Sequence, residues 1–173
     1  MNNTVTLKKL TPADAETLLL LSRKTFFDAF YHLNHPDDME AYAQKAFTVE
    51  KLQNELNDTN SEFYFVMLQN ETAGYLKLNY HAAQTEFQDP EAIEIERIYV
   101  LSHYQGKNIG SQLLNFVLNK AKEHQLKYIW LGVWDQNHGA IRFYQRHGFE
   151  VFSSHEFMLG SDKQTDLLLK KVL

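Results

Sequence analysis

The sequence contains no cysteine, only three prolines in 173 residues, and no long apolar run. Without cysteine the chain has no disulfide, no thiolate metal ligand and no cysteine nucleophile. A membrane-spanning helix needs about 20 consecutive apolar residues, and no stretch approaches that length. The opening segment MNNTVTLKKL also lacks the charged and apolar regions of a signal peptide. We therefore expect a cytoplasmic protein that does not associate with membranes.

Clustered basic charge is missing as well. The formal net charge is -5, and the 17 Lys and Arg residues form no long run. Because nucleic-acid binding draws most of its affinity from clustered basic side chains on phosphates, we expect no nucleic-acid partner. Carboxylates in a cleft can instead attract a cationic small molecule. Ordinary solubility explains the same composition, and the charge alone does not separate the two.

No repeat, low-complexity tract or Pro/Gly linker divides the chain, and 44% of the residues are hydrophobic. A chain of this size can bury one substantial core, so we expect a single domain over residues 1–173.

Hydrophobic periodicity predicts strands and helices throughout the chain. The predicted strands cover residues 5–10, 62–68, 73–80, 92–100, 128–134, 149–159 and 165–173. Predicted helices cover residues 15–30, 38–56, 108–125 and 138–147; Thr11 is expected to cap the first, and Thr48 to divide the second. The strand, helix, strand succession after residue 92 implies a crossover between parallel neighbours. We therefore predict an α/β fold with a mixed sheet flanked by helices.

The segment QGKNIGS, residues 105–111, joins a predicted strand to a predicted helix. The first N–H groups of a helix lack internal partners and can bind an anion. Gly106 and Gly110 permit close approach, Lys107 adds charge, and Asn108 tolerates left-handed backbone geometry. The segment matches neither the P-loop nor the Gly-x-Gly-x-x-Gly pattern. Taken alone, it is compatible with a phosphate-binding loop and with a plain turn.

In AIEIERIYV the apolar positions change parity: Ile93 and Ile95 share one, whereas Ile98 and Val100 share the other. One extra residue near position 96 or 97, a β-bulge, explains the change. A strand buried on both faces explains it equally well.

Two longer segments, ERIYVLSHYQGKNIGSQLL and IWLGVWDQNHGAIRFYQRHGFE, together resemble the GNAT family of acetyl-CoA-dependent N-acetyltransferases. The first carries the Gln/Arg-x-x-Gly-x-Gly/Ala pattern, and the second carries Asn…Ala-x-x-Phe-Tyr-x-x-x-Gly-Phe. Asn108 departs from the pattern, since it replaces the first glycine of the x-x-Gly-x-Gly pair. The resemblance implies a mostly antiparallel sheet of about seven strands with splayed central strands. It also implies acetyl-CoA as co-substrate and no metal.

The same resemblance assigns the coenzyme A contacts. The pyrophosphate would lie on main-chain N–H groups of residues 105–111, and the pantetheine arm would pair with the strand before them. Asn137 would bind the pantetheine from the other strand, and Tyr144 would stand near the thioester sulfur. The residues implied in cofactor binding are Ile98, Tyr99, Val100, Gln105, Gly106, Lys107, Asn108, Ile109, Gly110, Ser111, Asn137 and Tyr144.

Acetyl transfer to an amine needs a proton acceptor, and a proton donor for the leaving thiolate. Glu94 and Glu96 are the candidate bases, although both could instead be solvated or paired with Arg97. Tyr144 is the candidate acid: although its reference pKa of about 10 lies above the roughly 8.5 of a thiol, it can supply the proton with help from its surroundings. Main-chain N–H groups near Ile98 would stabilise the oxyanion. The missing cysteine and Ser-His-Asp signature favour direct attack without an acyl-enzyme.

The pattern is similar to that of bacterial polyamine acetyltransferases of the PaiA type, notably in AFTVEKLQNEL, IERIYV, IWLGVW and QTDLLL. This resemblance implies spermidine or spermine as acceptor. Asp37, Asp38 and Glu40 lie where such enzymes build the acceptor wall, although an acidic helix start explains Asp37 and Asp38 equally well. Trp134 is a further candidate for that wall, or a core residue.

Two alternative functions stay open at this stage. One is a GNAT enzyme that acetylates a protein, a peptide or another small amine. The other is a non-catalytic module that binds coenzyme A and regulates through a partner. The C-terminal LLLKKVL strand could belong to the intrachain sheet or to a homodimer.

Overall fold

The computed structural model describes residues 4–173. The first three residues of the opening segment MNNTVTLKKL therefore lie outside the described residues. Its strands are β1 (Thr6–Lys9), β2 (Ser61–Leu68), β3 (Glu71–Tyr80), β4 (Ala92–Val100), β5 (Tyr128–Trp134), β6 (Glu150–Leu159) and β7 (Asp162–Val172). Its α-helices are α1 (Ala15–Phe30), α2 (Pro36–Ala46), α3 (Val49–Asn57), α4 (Ile109–Glu123) and α5 (His138–Arg146).

The strands form one sheet in the order β1-β2-β3-β4-β5-β7-β6. Within the described residues only β4 and β5 run parallel, because α4 carries the chain across between them. Their pairing is short: it joins Ala92–Ile95 to Tyr128–Leu131, and beyond that point the strands diverge. The predicted mixed, mostly antiparallel sheet with splayed central strands is therefore confirmed. The C-terminal strand β7 lies inside the sheet, between β5 and β6.

A β-bulge interrupts β4 at Glu96. On the neighbouring strand, Lys77 pairs with Arg97 and Leu78 pairs with Ile95, so Glu96 is the extra residue. Because of it, Ile98 returns to the face of the sheet that Ile95 occupies. Of the two explanations that the change of parity left open, the bulge is therefore the one that the strand pairing shows.

Helices cover both faces of the sheet. The predicted stripe of α4 is buried against one face, at Ile109, Leu113, Leu114, Val117 and Ala121. On the other face α1 and α3 pack over Phe63, Phe65 and Tyr75. Thr48 separates α2 from α3, as predicted, and its hydroxyl accepts the N–H of Lys51 at 3.1 Å.

Several element boundaries differ by a few residues from the sequence-based prediction, and two of them have a clear physical reason. The helix that Thr11 is expected to cap is preceded by a short 3₁₀ turn, Pro12–Asp14, before α1. Strand β7 begins at Asp162 rather than at residue 165, because β6 and β7 pair from the start of a tight turn, Leu159 opposite Asp162. A hydrophobicity pattern does not detect this start, because the first residues of β7 are polar. No helix within residues 4–173 is long and apolar enough to cross a membrane.

Candidate active site

A cavity of about 1380 Å³ opens where β4 and β5 diverge. Its walls come from the second half of β4, the end of β5, the loop before α4 and one side of α5. Eleven of the twelve residues implied in cofactor binding line it: Ile98, Tyr99, Val100, Gln105, Gly106, Asn108, Ile109, Gly110, Ser111, Asn137 and Tyr144. The cavity thus gathers residues from four separate stretches of the chain.

The loop before α4 presents free main-chain donors. Gly106 and Asn108 adopt left-handed backbone geometry, with φ of 76° and 60°. From Gly106 to Ser111, no main-chain N–H has a hydrogen-bond partner among residues 4–173. The expectation that Asn108 enters the left-handed region is confirmed. Unpartnered N–H groups at a helix N-terminus fit an anion such as a pyrophosphate.

Gly110 brings α4 close to α5. A Cβ atom at Gly110 would lie 2.9 Å from the Cζ atom of Phe143, well inside normal contact distance. The glycine therefore permits the packing that holds the anion-binding loop beside the helix carrying Tyr144.

Two basic residues near this loop differ from expectation. Lys107 is the twelfth implied residue; its ammonium lies over the ring of Tyr104, 5.0 Å from the centroid, and it does not line the cavity. Arg146, which the sequence reasoning missed, does line the cavity and forms no ion pair within the described chain. An exposed arginine at the end of an amphipathic helix carries no local signal of function.

The divergence leaves one edge of β4 open. Beyond Ile95 the strand pairs with β3 on one side, through Leu76 opposite Ile98 and Tyr75 opposite Tyr99, and has no pairing with β5 on the other. The carbonyl of Val100 accepts a hydrogen bond from Nε2 of Gln105 at 3.1 Å. An extended ligand can add to such an edge as a strand would.

Asn137 and Tyr144 face the cavity from α5. Asn137 caps the helix, and its Oδ1 accepts the N–H of Ala140 at 3.2 Å. Tyr144 is only 7% exposed, and burial raises the pKa of its phenol. Its hydroxyl forms no hydrogen bond to any other described residue, so it remains available to a ligand.

Glu94 is held deep in the cavity wall and is 3% exposed. Its carboxylate accepts the N–H of Thr85 at 2.8 Å, the hydroxyl of Thr85 at 2.6 Å and Nδ2 of Asn79 at 3.1 Å. Burial raises the pKa of Glu94, although these hydrogen bonds oppose the rise.

Glu96 lies in a different electrostatic setting. Its Oε2 lies 2.5 Å from Nζ of Lys77 and accepts Nδ2 of Asn79 at 2.6 Å, while Oε1 lies 3.2 Å from Nη2 of Arg97. Burial opposes the charged form, but Arg97 and Lys77 prevail and lower the pKa of Glu96. Glu55 pairs with both cations at 3.0 Å. The pairing with Arg97 that the sequence left open is therefore present for Glu96.

The acidic residues expected at the acceptor wall lie elsewhere. Asp37 is exposed and does not line the cavity, and Asp38 accepts the N–H and the hydroxyl of Ser161 at 2.7 and 2.8 Å. Glu40 pairs with Arg23 at 3.0 Å. All three lie in the first half of α2, and Asp38 attaches that helix to the β6–β7 turn. The carboxylates that do line the cavity are Asp28, Glu55, Glu86, Glu94, Glu96, Glu156 and Asp166.

At the end of the cavity formed by β6 and β7, His155 lies between two carboxylates. Its Nδ1 is 2.6 Å from Oε1 of Glu86, and its Nε2 is 3.6 Å from Oδ2 of Asp166. Burial raises the pKa of Asp166, and His155 opposes the rise. Trp134 lines the same cavity, with its ring 6.1 Å from that of Phe30. Sequence reasoning missed this cluster because Glu86 is far along the chain from the β6–β7 hairpin that carries His155 and Asp166.

Histidines and carboxylates form no metal-like site in the described chain: no group of three or more suitable ligands occurs within residues 4–173. His35 instead caps α2, and its Nδ1 accepts the N–H of Asp37 at 3.3 Å.

Comparison with known proteins adds to this geometry. The profile of the Acetyltransferase (GNAT) family matches residues 27–149. An uncharacterized N-acetyltransferase of Lactobacillus delbrueckii subsp. lactis is 41% identical over 98% of each chain. A spermidine N(1)-acetyltransferase of Thermoplasma acidophilum is 24% identical over 85% of this chain and 89% of its own. The crystal structure of PaiA N-acetyltransferase from Thermoplasma acidophilum, in complex with coenzyme A, has a TM-score of 0.80 at 23% identity. That likeness covers 98% of this chain and 99% of the other.

Proposed function

The chain belongs to the GNAT acetyltransferase family and is an N-acetyltransferase; from that premise we propose that it moves an acetyl group from acetyl-CoA to a polyamine such as spermidine or spermine. The observation that carries the choice of acceptor is the row of carboxylates along the cavity beyond the divergence of β4 and β5. We propose one domain over residues 1–173. A cytoplasmic location and a possible homodimer stay predictions.

Coenzyme A fits the residues at the first part of the cavity. The unpartnered N–H groups from Gly106 to Ser111 would hold the pyrophosphate, with Arg146 beside them as a second anion contact. The open edge of β4 at residues 98–100 and the amide of Asn137 would hold the pantetheine arm. Bound in this way, acetyl-CoA supplies the activated acetyl group.

Two sets of side chains then move protons. Glu94 and Glu96 line the cavity on the bulged strand and accept the proton that an ammonium must lose before its nitrogen attacks. Tyr144 donates its phenolic proton to the departing sulfur, and its raised pKa keeps that proton in place until it is needed. No residue of the chain forms a covalent bond with the acetyl group.

The electrostatics of the acceptor end favour a cation with more than one charge. Seven carboxylates line the cavity, against three basic side chains, Lys51, Arg97 and Arg146. Arg97 and Lys77 pair with Glu55 and Glu96, Lys24 pairs with Asp28, and Lys163 pairs with Glu156. Among the lining carboxylates, Glu86, Glu94 and Asp166 have no lysine or arginine partner within residues 4–173. A cleft with low-dielectric walls concentrates the remaining negative field. One ammonium can then lie at Glu96 and a second at Asp166.

Aromatic side chains line the region between these carboxylates. Phe30 contacts Tyr99 and Trp134 edge to face, with ring centroids 6.5 and 6.1 Å apart. Such a wall accommodates the methylene spacers of a polyamine and attracts its ammonium groups through cation–π contacts. Trp134 therefore keeps its proposed role in the acceptor site, whereas Asp37 and Asp38 do not enter it.

Coenzyme A release with acetyl-CoA tests the proposal. Spermidine and spermine are compared with a lysine peptide and with free amino acids, at equal ionic strength because the attraction is electrostatic. We expect saturable turnover with the polyamines at the lowest KM. Turnover confined to the peptide or the amino acids would reject the polyamine and leave acetyl transfer intact. Calorimetric binding of acetyl-CoA without turnover of any amine would favour a regulatory module instead.

A further inference from the structure

We propose that Asn79 is a positioning residue that joins Glu94 and Glu96 into one proton-accepting pair. The inference rests on the proposed acetyl transfer to an amine. It concerns a residue on β3 that the sequence reasoning did not single out and that does not line the cavity.

One amide group of Asn79 contacts both glutamates. Its Nδ2 donates to Oε2 of Glu94 at 3.1 Å and to Oε2 of Glu96 at 2.6 Å. Asn79 is 0% exposed, and its Oδ1 accepts the hydroxyl of Ser61 at 2.9 Å. Because Nδ2 carries two hydrogens, it can serve both carboxylates at once. The bulge brings them within reach of the same amide, since it inserts Glu96 as an extra residue into β4.

The surroundings make the two carboxylates unequal. Lys77 and Arg97 both lie against Glu96, and Glu55 on α3 completes their pairing. Within residues 4–173, Glu94 contacts no cation and accepts hydrogen bonds only from Thr85 and Asn79. Two carboxylates held close together do not bind protons independently, because the charge on one favours protonation of the other.

Because their surroundings differ, the two glutamates have different roles. Glu96 stays ionised and attracts the ammonium of the acceptor. The proton then passes from the nitrogen, directly or through water, to a carboxylate oxygen of Glu94; the N–H bond breaks, an O–H bond forms, and the freed nitrogen lone pair attacks. Asn79 contributes by holding both Oε2 atoms at the separation that lets them act as one unit.

The substitution Asn79→Asp tests this role with the least change of shape. It keeps an oxygen for Ser61 and replaces the shared donor by a third carboxylate. Loss of the donor and added negative charge both favour protonation of the pair, so the pair becomes ionised only at higher pH. We expect kcat/KM for the amine at pH 7 to fall about tenfold or more. The acidic limb of the pH profile should move up by about one pH unit, with activity recovering on its alkaline side.

Two further variants separate positioning from folding. Ser61→Ala removes the hydrogen bond to Oδ1 of Asn79 and leaves Nδ2 on the glutamates, so its acidic limb should coincide with that of the wild type. Asn79→Ser keeps one hydroxyl donor, so its acidic limb should lie at a pH between those of the wild type and Asn79→Asp. Calorimetric binding of acetyl-CoA shows that each variant is folded. An unshifted limb in Asn79→Asp, or an equal shift in Ser61→Ala, would overturn the proposal.

The proposal also has a readout that does not depend on turnover. Carboxylate ¹³C NMR titration of the full chain reports protonation of Glu94 and Glu96 directly. We expect Asn79→Asp to move the titration of both glutamates to higher pH together, whereas movement of neither would reject the pairing. If the wild type acetylates no amine, the proposed function fails, while the NMR result still decides whether Asn79 couples the pair.

Discussion

Asn137 and Tyr144 stand at opposite ends of one nine-residue helix, α5, and both line the same cavity. Asn137 caps the first turn, and Tyr144 lies seven positions further along, about 10 Å on at the rise of an α-helix. A helix this short is marginal on its own, so its direction depends on the cap and on packing against Gly110. One helix thus positions both residues for the roles proposed for them, pantetheine contact for Asn137 and proton donor for Tyr144.

Replacing Tyr144 by phenylalanine should lower kcat by about tenfold or more, because the leaving sulfur loses its proton donor. Affinity for acetyl-CoA should stay close to that of the wild type, since the ring remains in place. Tyr128→Phe is the matched control: it also removes a phenolic hydroxyl, bonded to Asp89 at 2.7 Å, but outside the cavity. Steady-state kinetics decide the matter, and an unchanged kcat in Tyr144→Phe would exclude the acid role.

Asn137→Ala should lower both the stability and the cofactor affinity. Loss of an N-cap costs about 1 kcal/mol in the free energy of unfolding. Thr48→Ala removes the cap of α3 and should show a similar loss of stability with unchanged affinity for acetyl-CoA. Urea unfolding and calorimetry measure the two quantities. Equal affinities in both variants would show that Asn137 acts on the helix alone.

The substitution Asn108→Gly tests whether the left-handed residue limits the phosphate loop. Glycine adopts a φ of 60° without a steric penalty, so the free energy of unfolding should rise by up to about 1 kcal/mol. Acetyl-CoA should bind at least as tightly, because the Asn108 side chain no longer narrows the approach. Asn70→Gly relieves a similar residue, φ 68°, in the β2–β3 turn and should change stability only. Weaker acetyl-CoA binding in Asn108→Gly would show that the asparagine contributes a contact.

At the acceptor end, Asp166→Asn should raise the KM for spermidine about tenfold, since a charge-assisted hydrogen bond contributes roughly 1.5–3 kcal/mol. The KM for acetyl-CoA should not change, because Asp166 lies on β7, away from the phosphate loop. Glu123→Gln, an exposed carboxylate at the end of α4, removes the same charge outside the cavity. An equal rise in the KM for spermidine in both variants would show that the affinity depends only on the net charge of the protein.

Stability at low pH should depend on Glu62. Burial disfavours its charge, but Lys9, Tyr64 and Lys120 contact the carboxylate and lower the pKa from 4.5 to about 2. A folded-state pKa below the unfolded value stabilises the fold above pH 4.5, and this contribution disappears as the pH falls toward 2.

Glu62→Gln should therefore lose less stability than the wild type between pH 5 and pH 3, a window set by that pKa difference. Urea unfolding at both pH values measures the loss. Glu16→Gln, at an exposed carboxylate in the first turn of α1, should follow the wild type. Identical losses in Glu62→Gln and wild type would show that the pairing contributes nothing to acid stability.

The sequence by itself predicted most of the secondary structure and the loop at residues 105–111, and it offered a bulge near position 96 or 97 as one of two explanations of the parity change in β4. These features rest on local rules: side-chain periodicity, the geometry that glycine and asparagine allow, and the spacing of short motifs. A one-residue change of parity is visible without any tertiary contact, but only the strand pairing shows that β4 contains the bulge.

Only the tertiary structure decided which charged groups meet. Asn79 lies 15 residues from Glu94 and 17 from Glu96 along the chain. No local sequence pattern indicates that this residue of β3 contacts both glutamates of β4. Glu86, His155 and Asp166 converge from three segments. Asp37, in contrast, is exposed, and Asp38 attaches α2 to the β6–β7 turn. Charges act through space rather than along the chain, so their partners follow from the strand order and the crossover.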